Sequence, residues 1–212
     1  IQIPEWARQP APPIQRESPA VSPSRLDQNP IVALNPFGEA RQARLRRGRL
    51  VHDLLQRLPN LPHDHRREAA ERVLGLQADL SAGAQSEIID VSLRTLEHPD
   101  FADVFSPDGR SEVAVTGRLP NGQLINGRVD RLIVRENEVL IIDYKTDQPA
   151  PRDEASVSSA YLRQMAAYRL ILSAIYPNHA VRCALLYTDG PHLISLSSDR
   201  LSESLKGLNI GV

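Results

Sequence analysis

The strongest chemical signal in the sequence is a pair of charged residues at the end of an apolar run. The run Val139–Ile142 is followed directly by Asp143, Tyr144 and Lys145. Because side chains alternate along a strand, we expect Asp143 and Lys145 to share a face that Tyr144 does not. Charges next to an apolar strand must be paired, solvated or bound to a metal. The triplet is therefore a candidate catalytic or metal-binding site.

A second carboxylate, Asp130, lies in the preceding apolar segment, and the turn between the segments decides whether the two carboxylates meet. A two-residue loop at 136–137 pairs Arg135 with Glu138 and so places Asp130 opposite Asp143. A three-residue loop shifts the register by one residue and separates them, and the residues of the turn favour neither loop. Facing carboxylates repel each other. A divalent cation between them would remove that cost.

Lys145 would lie beside such a metal. Its ammonium could orient a water molecule or stabilise negative charge on a phosphate, which suits phosphodiester cleavage. From spacing alone, an exposed hairpin with an ordinary ion pair between Asp143 and Lys145 explains the pattern equally well.

Composition limits the classes of protein to consider. The chain has 212 residues, 41% hydrophobic and 24% charged, with a net charge of −1. This suits one globular domain and excludes collagen, coiled coil and wholesale disorder. The single cysteine, Cys183, excludes a disulfide framework and a cysteine-ligated zinc or iron–sulfur centre within the chain, and we expect it to be buried and inert. Neither Lys145 nor Lys206 stands in a P-loop motif, so we predict no ATP site in this chain.

The first 36 residues differ from the rest of the chain. They hold eight of the 17 prolines, which favour extended backbone. We predict a proline-rich linker over 1–36 and a single domain over 37–212. Trp6 either holds this linker against a neighbouring surface or is exposed. The start of the sequence shows no secretory pattern, which predicts a cytoplasmic protein, and no apolar run suggests a membrane span.

Hydrophobic periodicity predicts an α/β fold with a mixed sheet flanked by helices. Helical spacing covers 37–58, 66–82, 86–96, 155–175 and 199–205. Strand patterns cover 112–116, 124–134, 139–146, 180–187 and 192–196.

Four short motifs occur in order along the chain. They are Gly48-Arg-Leu-Val-His52, Gly127-Arg-Val-Asp130-Arg131, Ile141-Ile-Asp143-Tyr-Lys145-Thr146 and Gln164-Met-Ala-Ala-Tyr168. Together they resemble the RecB-type branch of the PD-(D/E)XK nuclease superfamily, over most of the chain from about 37 to 196. The resemblance implies a restriction-endonuclease-like fold and a DNA nuclease.

The resemblance also implies a role for each motif residue. His52, Asp130, Asp143 and the carbonyl of Tyr144 would bind Mg²⁺, with Mn²⁺ as the alternative ion. Lys145 would be the catalytic lysine, acting with Asp130 and Asp143. Without the resemblance, the position of His52 at the rim of the apolar stripe favours an ordinary hydrogen-bonded histidine over a metal ligand.

Other residues are weaker candidates for DNA binding or support of the site. Gln164 and Tyr168 share a helix face, although a core tyrosine beside a satisfied glutamine is an equally good interpretation. Glu112 could be an outer acidic residue of the site or a solvated strand end. Tyr161 and Met165 are expected in the core. Five arginines precede His52, and they form either a solvated helix face or a phosphate-binding patch. Arg49 is the candidate DNA contact among them. The five are Arg41, Arg44, Arg46, Arg47 and Arg49.

Within the branch, the chain resembles the C-terminal nuclease domain of an AddA-type helicase–nuclease subunit for double-strand-break repair. This implies a bacterial DNA exonuclease with upstream helicase domains in the same polypeptide, an AddB-type partner subunit and no membrane. One alternative is a catalytically silent module for DNA clamping or subunit docking. Another is a metal-binding or interaction domain whose motifs match by chance, which predicts that His52, Asp130 and Asp143 do not converge.

Overall fold

The computed structural model describes residues 20–26 and 38–206. Within these ranges five α-helices and five strands follow one another in the predicted order. They are α1 (Gly38–Arg57), α2 (His63–Gly75), α3 (Ala82–Leu96), β1 (Gly109–Arg118), β2 (Leu124–Val134), β3 (Glu138–Lys145), α4 (Ser159–Ile175), β4 (Ala180–Tyr187), β5 (His192–Leu196) and α5 (Ser198–Lys206). No helix in the described part is both long and apolar enough to cross a bilayer.

The five strands form one mixed sheet in sequence order, β1 to β5. Neighbouring strands are antiparallel except β3 and β4, which are parallel. Parallel neighbours need a long crossover, and α4 provides it. The predicted fold class, a mixed sheet with flanking helices of the restriction-endonuclease type, is confirmed.

Two hydrophobic cores lie on opposite faces of the sheet. Helices α4 and α5 cover one face, and α1, α2 and α3 cover the other. Strand β3 supplies both cores, because Ile141 packs under α4 whereas Ile142 and Tyr144 pack under α1 and α3. This alternation confirms the predicted faces of β3 and leaves Asp143 and Lys145 on the side of α4.

Several helix ends differ from their predicted positions. Helix α2 covers His63–Gly75 rather than 66–82, and Leu76, the residue after it, is 82% exposed. Helix α3 begins at Ala82 because the Ser81 hydroxyl accepts a hydrogen bond from the Ala84 amide. Ser158 caps α4 in the same way, so α4 starts later than predicted and a separate short turn occupies 154–156.

Residues 20–26 pack against the sheet. Only the second half of β2 (131–134) pairs with β3. Residues 20–26 cover the first half of β2 along the same edge. The Val21 amide donates to Leu124 O (2.9 Å), and the Asn126 amide donates to Val21 O (3.1 Å). Pro23, in the same segment, is buried. Residues 1–19 and 27–37, including Trp6, lie outside the described part, so the linker over 1–36 stays a prediction.

Candidate active site

The turn between β2 and β3 has two residues, as one of the two predicted registers requires. The Arg135 amide donates to Glu138 O (2.8 Å), and the ladder runs from Val134 opposite Val139 to Arg131 opposite Ile142. The next pair in this register is Asp130 with Asp143, and there the ladder stops. The Asp130 carboxylate instead accepts a hydrogen bond from the Tyr144 amide (2.7 Å).

A local irregularity turns Asp130 out of the ladder. On the other edge of β2, the residues on both sides of Glu112 pair with residues on both sides of Asp130, but Glu112 and Asp130 do not pair with each other. Glu112 has a left-handed φ of 56°. Val129 and Leu132 face the same core although they are three residues apart, which regular alternation does not allow. Irregularities of this kind redirect a side chain at a functional site. Here the side chain redirected is that of Asp130.

Asp143 and Lys145 form a buried network with α4. Asp143 is only 4% exposed. Its Oδ2 lies 2.6 Å from Lys145 Nζ, and its Oδ1 accepts from Gln164 Nε2 at 2.8 Å. Lys145 Nζ also donates to Gln164 Oε1 (3.2 Å). Gln164 therefore bridges the acid and the lysine, and the exposed ion pair considered for this hairpin is excluded.

Tyr161 lines the cleft at Lys145, although it was predicted to be a core residue. Lys145 Nζ lies 3.7 Å from the centre of the Tyr161 ring. The Tyr161 hydroxyl bonds both carboxylate oxygens of Asp147 at 3.0 Å. Asp147 stands two residues after Lys145, and strand alternation could have indicated that both point the same way.

His52 reaches the site from α1. Its Nδ1 lies 3.5 Å from Asp130 Oδ2, and its ring packs edge-on against Tyr144 with centroids 5.6 Å apart. One turn earlier, a Cβ on Gly48 would lie 2.9 Å from the Thr146 hydroxyl oxygen. A missing side chain therefore lets α1 approach the end of β3 closely enough to deliver His52.

Tyr168 bonds the backbone of β2, whereas its motif partner Gln164 bonds Asp143. Its hydroxyl donates to Arg128 O (2.8 Å) and accepts from the Arg128 amide (3.0 Å). Burial raises the pKa of Tyr168 to about 12, so the hydroxyl stays protonated. A Cβ on Gly127 would lie 2.7 Å from this hydroxyl. Tyr168 thus holds the backbone of β2 immediately before Asp130.

These residues open onto a cleft of about 890 Å³. One face of α1, side chains of α4, the middle of β2 and the end of β3 line it, together with Ser22 and Ser24. Arg49 and Arg44 also line it and are exposed. Glu112 lies at the cleft with its carboxylate 3.3 Å from the Arg128 guanidinium.

The profile of the PD-(D/E)XK nuclease superfamily matches residues 29–203, most of the chain. The chain belongs to the PD-(D/E)XK nuclease superfamily. A search of curated proteins found no match to the chain. Among solved structures, the chain is similar to one described as the crystal structure of SSO0001. The identity is 20%, covering 75% of this chain and 74% of that chain, with a TM-score of 0.32.

The superfamily is generally one of metal-dependent nucleases, and the donor chemistry of this cleft fits a divalent cation. Two carboxylates and an imidazole converge, and oxygen ligands of this kind suit Mg²⁺ or Mn²⁺. Across residues 20–26 and 38–206, no three His, Cys, Asp or Glu side chains are already arranged as a metal cage. The oxygens of Asp143 bond Lys145 and Gln164, so a metal would compete with these contacts.

The pKa shifts in the cleft also favour a bound cation. Burial raises the pKa of the Asp143 carboxyl, although the Lys145 ammonium opposes the rise. Burial lowers the pKa of His52, but its hydrogen bond to Asp130 and the charge of that carboxylate outweigh burial, so the pKa is raised. Excess negative charge in a buried site is what a bound cation would neutralise.

Proposed function

We propose that this PD-(D/E)XK domain is a divalent-metal-dependent deoxyribonuclease that hydrolyses DNA phosphodiester bonds. The observation that carries the proposal is convergence. Three elements bring their side chains to one open cleft: His52 from α1, Asp130 from β2, and Asp143 and Lys145 from β3. Asp130 Oδ2 lies 3.5 Å from His52 Nδ1 and 2.7 Å from the Tyr144 amide nitrogen. Asp143 Oδ2 lies 2.6 Å from Lys145 Nζ. A chance match of motifs would have left these residues apart.

The proposed metal ligands are His52, Asp130, Asp143 and the carbonyl of Tyr144. The group held there would be Mg²⁺, with Mn²⁺ as a second candidate, and it would supply Lewis-acid stabilisation of charge on the phosphate. The Tyr144 amide holds Asp130 in place. Packing of the His52 ring on Tyr144 holds the imidazole in a fixed orientation.

Lys145 is the proposed catalytic residue. Its ammonium lies 2.6 Å from Asp143 and is positioned to orient a water molecule or to stabilise negative charge that develops on the phosphate. Gln164 bonds both Asp143 and Lys145, so it fixes their relative position. The cleft therefore combines acidic ligands with one cation that bonds Asp143 directly.

The proposed setting is an AddA-type helicase–nuclease complex for double-strand-break repair and recombination in the bacterial cytoplasm. The chain would act there as an exonuclease joined to upstream helicase domains and to an AddB-type partner subunit. The support is the overall likeness of the sequence to AddA-type nuclease domains, together with a single cysteine, Cys183, where AddB-type domains carry a cysteine cluster.

Cleavage of single-stranded DNA with Mg²⁺ or Mn²⁺ tests the proposal. Asp143→Asn should lose both cleavage and Mn²⁺ binding measured by calorimetry. Lys145→Met should lose cleavage but keep Mn²⁺ binding, and bind it more tightly, because the competing ammonium is gone. Circular dichroism controls for folding in both variants.

The alternative is a catalytically silent module that clamps DNA or docks a subunit. It predicts that the chain binds DNA but shows no metal-dependent cleavage. Any background cleavage in the preparation would then be the same for the wild type and for Lys145→Met. Failure of the folded wild-type chain to bind Mn²⁺ at all would favour this alternative over the nuclease.

A further inference from the structure

The five arginines at the start of α1 differ in what they contact. Arg46 pairs with Asp79 and donates to Gln77 Oε1 at 3.1 Å. Arg47 donates from Nε and Nη2 to Glu87 at 3.1 and 2.8 Å. These two arginines join α1 to the loop after α2 and to α3, and acidic partners neutralise their charge.

The other three arginines have no ion-pair or hydrogen-bond partner among the described residues. They are Arg41, Arg44 and Arg49, and all three are exposed. At about 100° per residue they fall within an arc of about 140° that also contains His52, whereas Arg46 and Arg47 fall outside it. The unneutralised cations therefore share the face of α1 that carries the site.

Two of these arginines lie in the same cleft as Lys145. Arg44 and Arg49 line it, as does Arg47, whose guanidinium is already bound to Glu87. A Cβ on Gly48, between Arg44 and Arg49, would lie 2.9 Å from the hydroxyl of Thr146, the residue after Lys145. One acidic side chain on this side of the cleft already has a cationic partner, since Asp53 pairs with Arg57 (2.7 Å). Asp53 therefore does not cancel the charge of Arg44 and Arg49.

We propose that the N-terminal half of α1 is a phosphate-binding track for the nucleic-acid strand, leading from the active site past Thr146. Arg49 and Arg44 contact phosphates on one side of the cleaved bond, and Arg41 contacts one further out. The inference rests on the proposed function, because it names the path of that substrate. Arg41 and Arg49 are separated by about 12 Å along the helix axis. That distance is covered by about three to four nucleotides of a stacked strand.

Two variants with the same change in net charge test this track. Arg44→Gln with Arg49→Gln removes two track cations, and Arg46→Gln with Arg47→Gln removes two neutralised cations from the same helix. Fluorescence anisotropy measures binding of a labelled oligothymidylate in EDTA, where no metal supports cleavage, over a range of salt concentrations. Thermal unfolding by circular dichroism checks that both variants fold.

The track predicts a specific difference in salt dependence. Each lost phosphate contact lowers the slope of log K against log salt by about 0.7 for a single strand. The Arg44/Arg49 variant should therefore show a slope lower by about 1.4, and the Arg46/Arg47 variant the wild-type slope. The proposed track would be overturned if the slope fell equally in both variants, or if it did not fall in the Arg44/Arg49 variant. Failure of the wild-type chain to bind the oligonucleotide would also overturn it.

The track and the nuclease can fail separately. A chain that binds through Arg44 and Arg49 but never cleaves with metal keeps the track and loses the proposed activity. A chain that cleaves normally while the Arg44/Arg49 variant keeps its salt slope keeps the activity and loses the track.

Discussion

At the scale of single residues, Lys145 depends on a neighbour that the family motifs do not include. The ring of Tyr161 lies against its ammonium, and Asp147 holds the tyrosine hydroxyl. Burial raises the pKa of Tyr161, so this hydroxyl remains a donor at neutral pH. Tyr161 is therefore a positioning residue, because it acts on the reaction through Lys145.

Tyr161→Leu should lower kcat with little change in KM. A cation–π contact at a desolvated site contributes about 2 kcal/mol, which corresponds to about a 30-fold effect on rate. Tyr161→Phe keeps the ring and loses only the bond to Asp147, so its kcat should fall much less. Steady-state kinetics on single-stranded DNA measures both.

Calorimetry with Mn²⁺ is the control for these two variants, and metal affinity should stay at the wild-type value. Equal kcat values for Tyr161→Phe and Tyr161→Leu would show that the ring does not support Lys145.

His52 makes the stability of the metal-free protein depend on pH. Its pKa is raised above the ordinary value of 6.5 by Asp130 despite burial, so the folded state binds this proton more tightly than the unfolded state. The stabilisation is fully present below about pH 6.5 and is lost as pH rises through the raised pKa. The difference in melting temperature between wild type and His52→Gln in EDTA should shrink as pH rises. A difference that is constant or grows with pH would contradict the role of the Asp130 pair.

At the scale of elements, the position of α1 depends on Gly48. Alanine is normally favoured over glycine in a helix by about 1 kcal/mol. At Gly48 a Cβ would lie 2.9 Å from the Thr146 hydroxyl oxygen. Gly48→Ala should therefore lower the free energy of unfolding instead of raising it, and should move His52 away from Asp130. Denaturant unfolding and cleavage rate should both show a loss.

Two further variants separate the contact from helix propensity. Gly83, in the first turn of α3, has open space where an added methyl group would lie, so Gly83→Ala should be neutral or stabilising. Adding Thr146→Ala to Gly48→Ala removes the clashing hydroxyl and should restore stability. A double variant as unstable as Gly48→Ala would show that Thr146 is not the obstacle.

Sequence periodicity predicted the elements of this fold and the faces of β3, because alternation and helical spacing are local properties. One of the two registers left open by the turn aligns Asp130 with Asp143, and the structure adopts it. Periodicity did not predict the break in β2 at Asp130, since the left-handed φ of Glu112 depends on tertiary contacts and no glycine marks the position. The place of Tyr161 at Lys145 depends on how α4 crosses the sheet, which spacing along α4 does not contain.

At the scale of the whole molecule, the two cores meet at β3, so the site should persist only while both cores are intact. Cys183 lies in the core under α4, and burial raises the pKa of its thiol to about 12. The thiolate is the reactive form. We expect Cys183 to react with Ellman's reagent only after global unfolding, with the same midpoint as the loss of circular dichroism and of cleavage. Rapid labelling of the native protein would show that this core opens on its own.

The Tyr144 amide has a use beyond holding Asp130. Its hydrogen bond ends on a side-chain carboxylate rather than on a neighbouring strand, so its proton senses the electron density of that carboxylate directly. In a nitrogen-15 correlation spectrum, this backbone resonance should shift when the charge on Asp130 changes, while amides further along the ladder, such as those of Val134 and Val139, stay in place. The fold thus contains its own spectroscopic label for the state of one acid in the cleft.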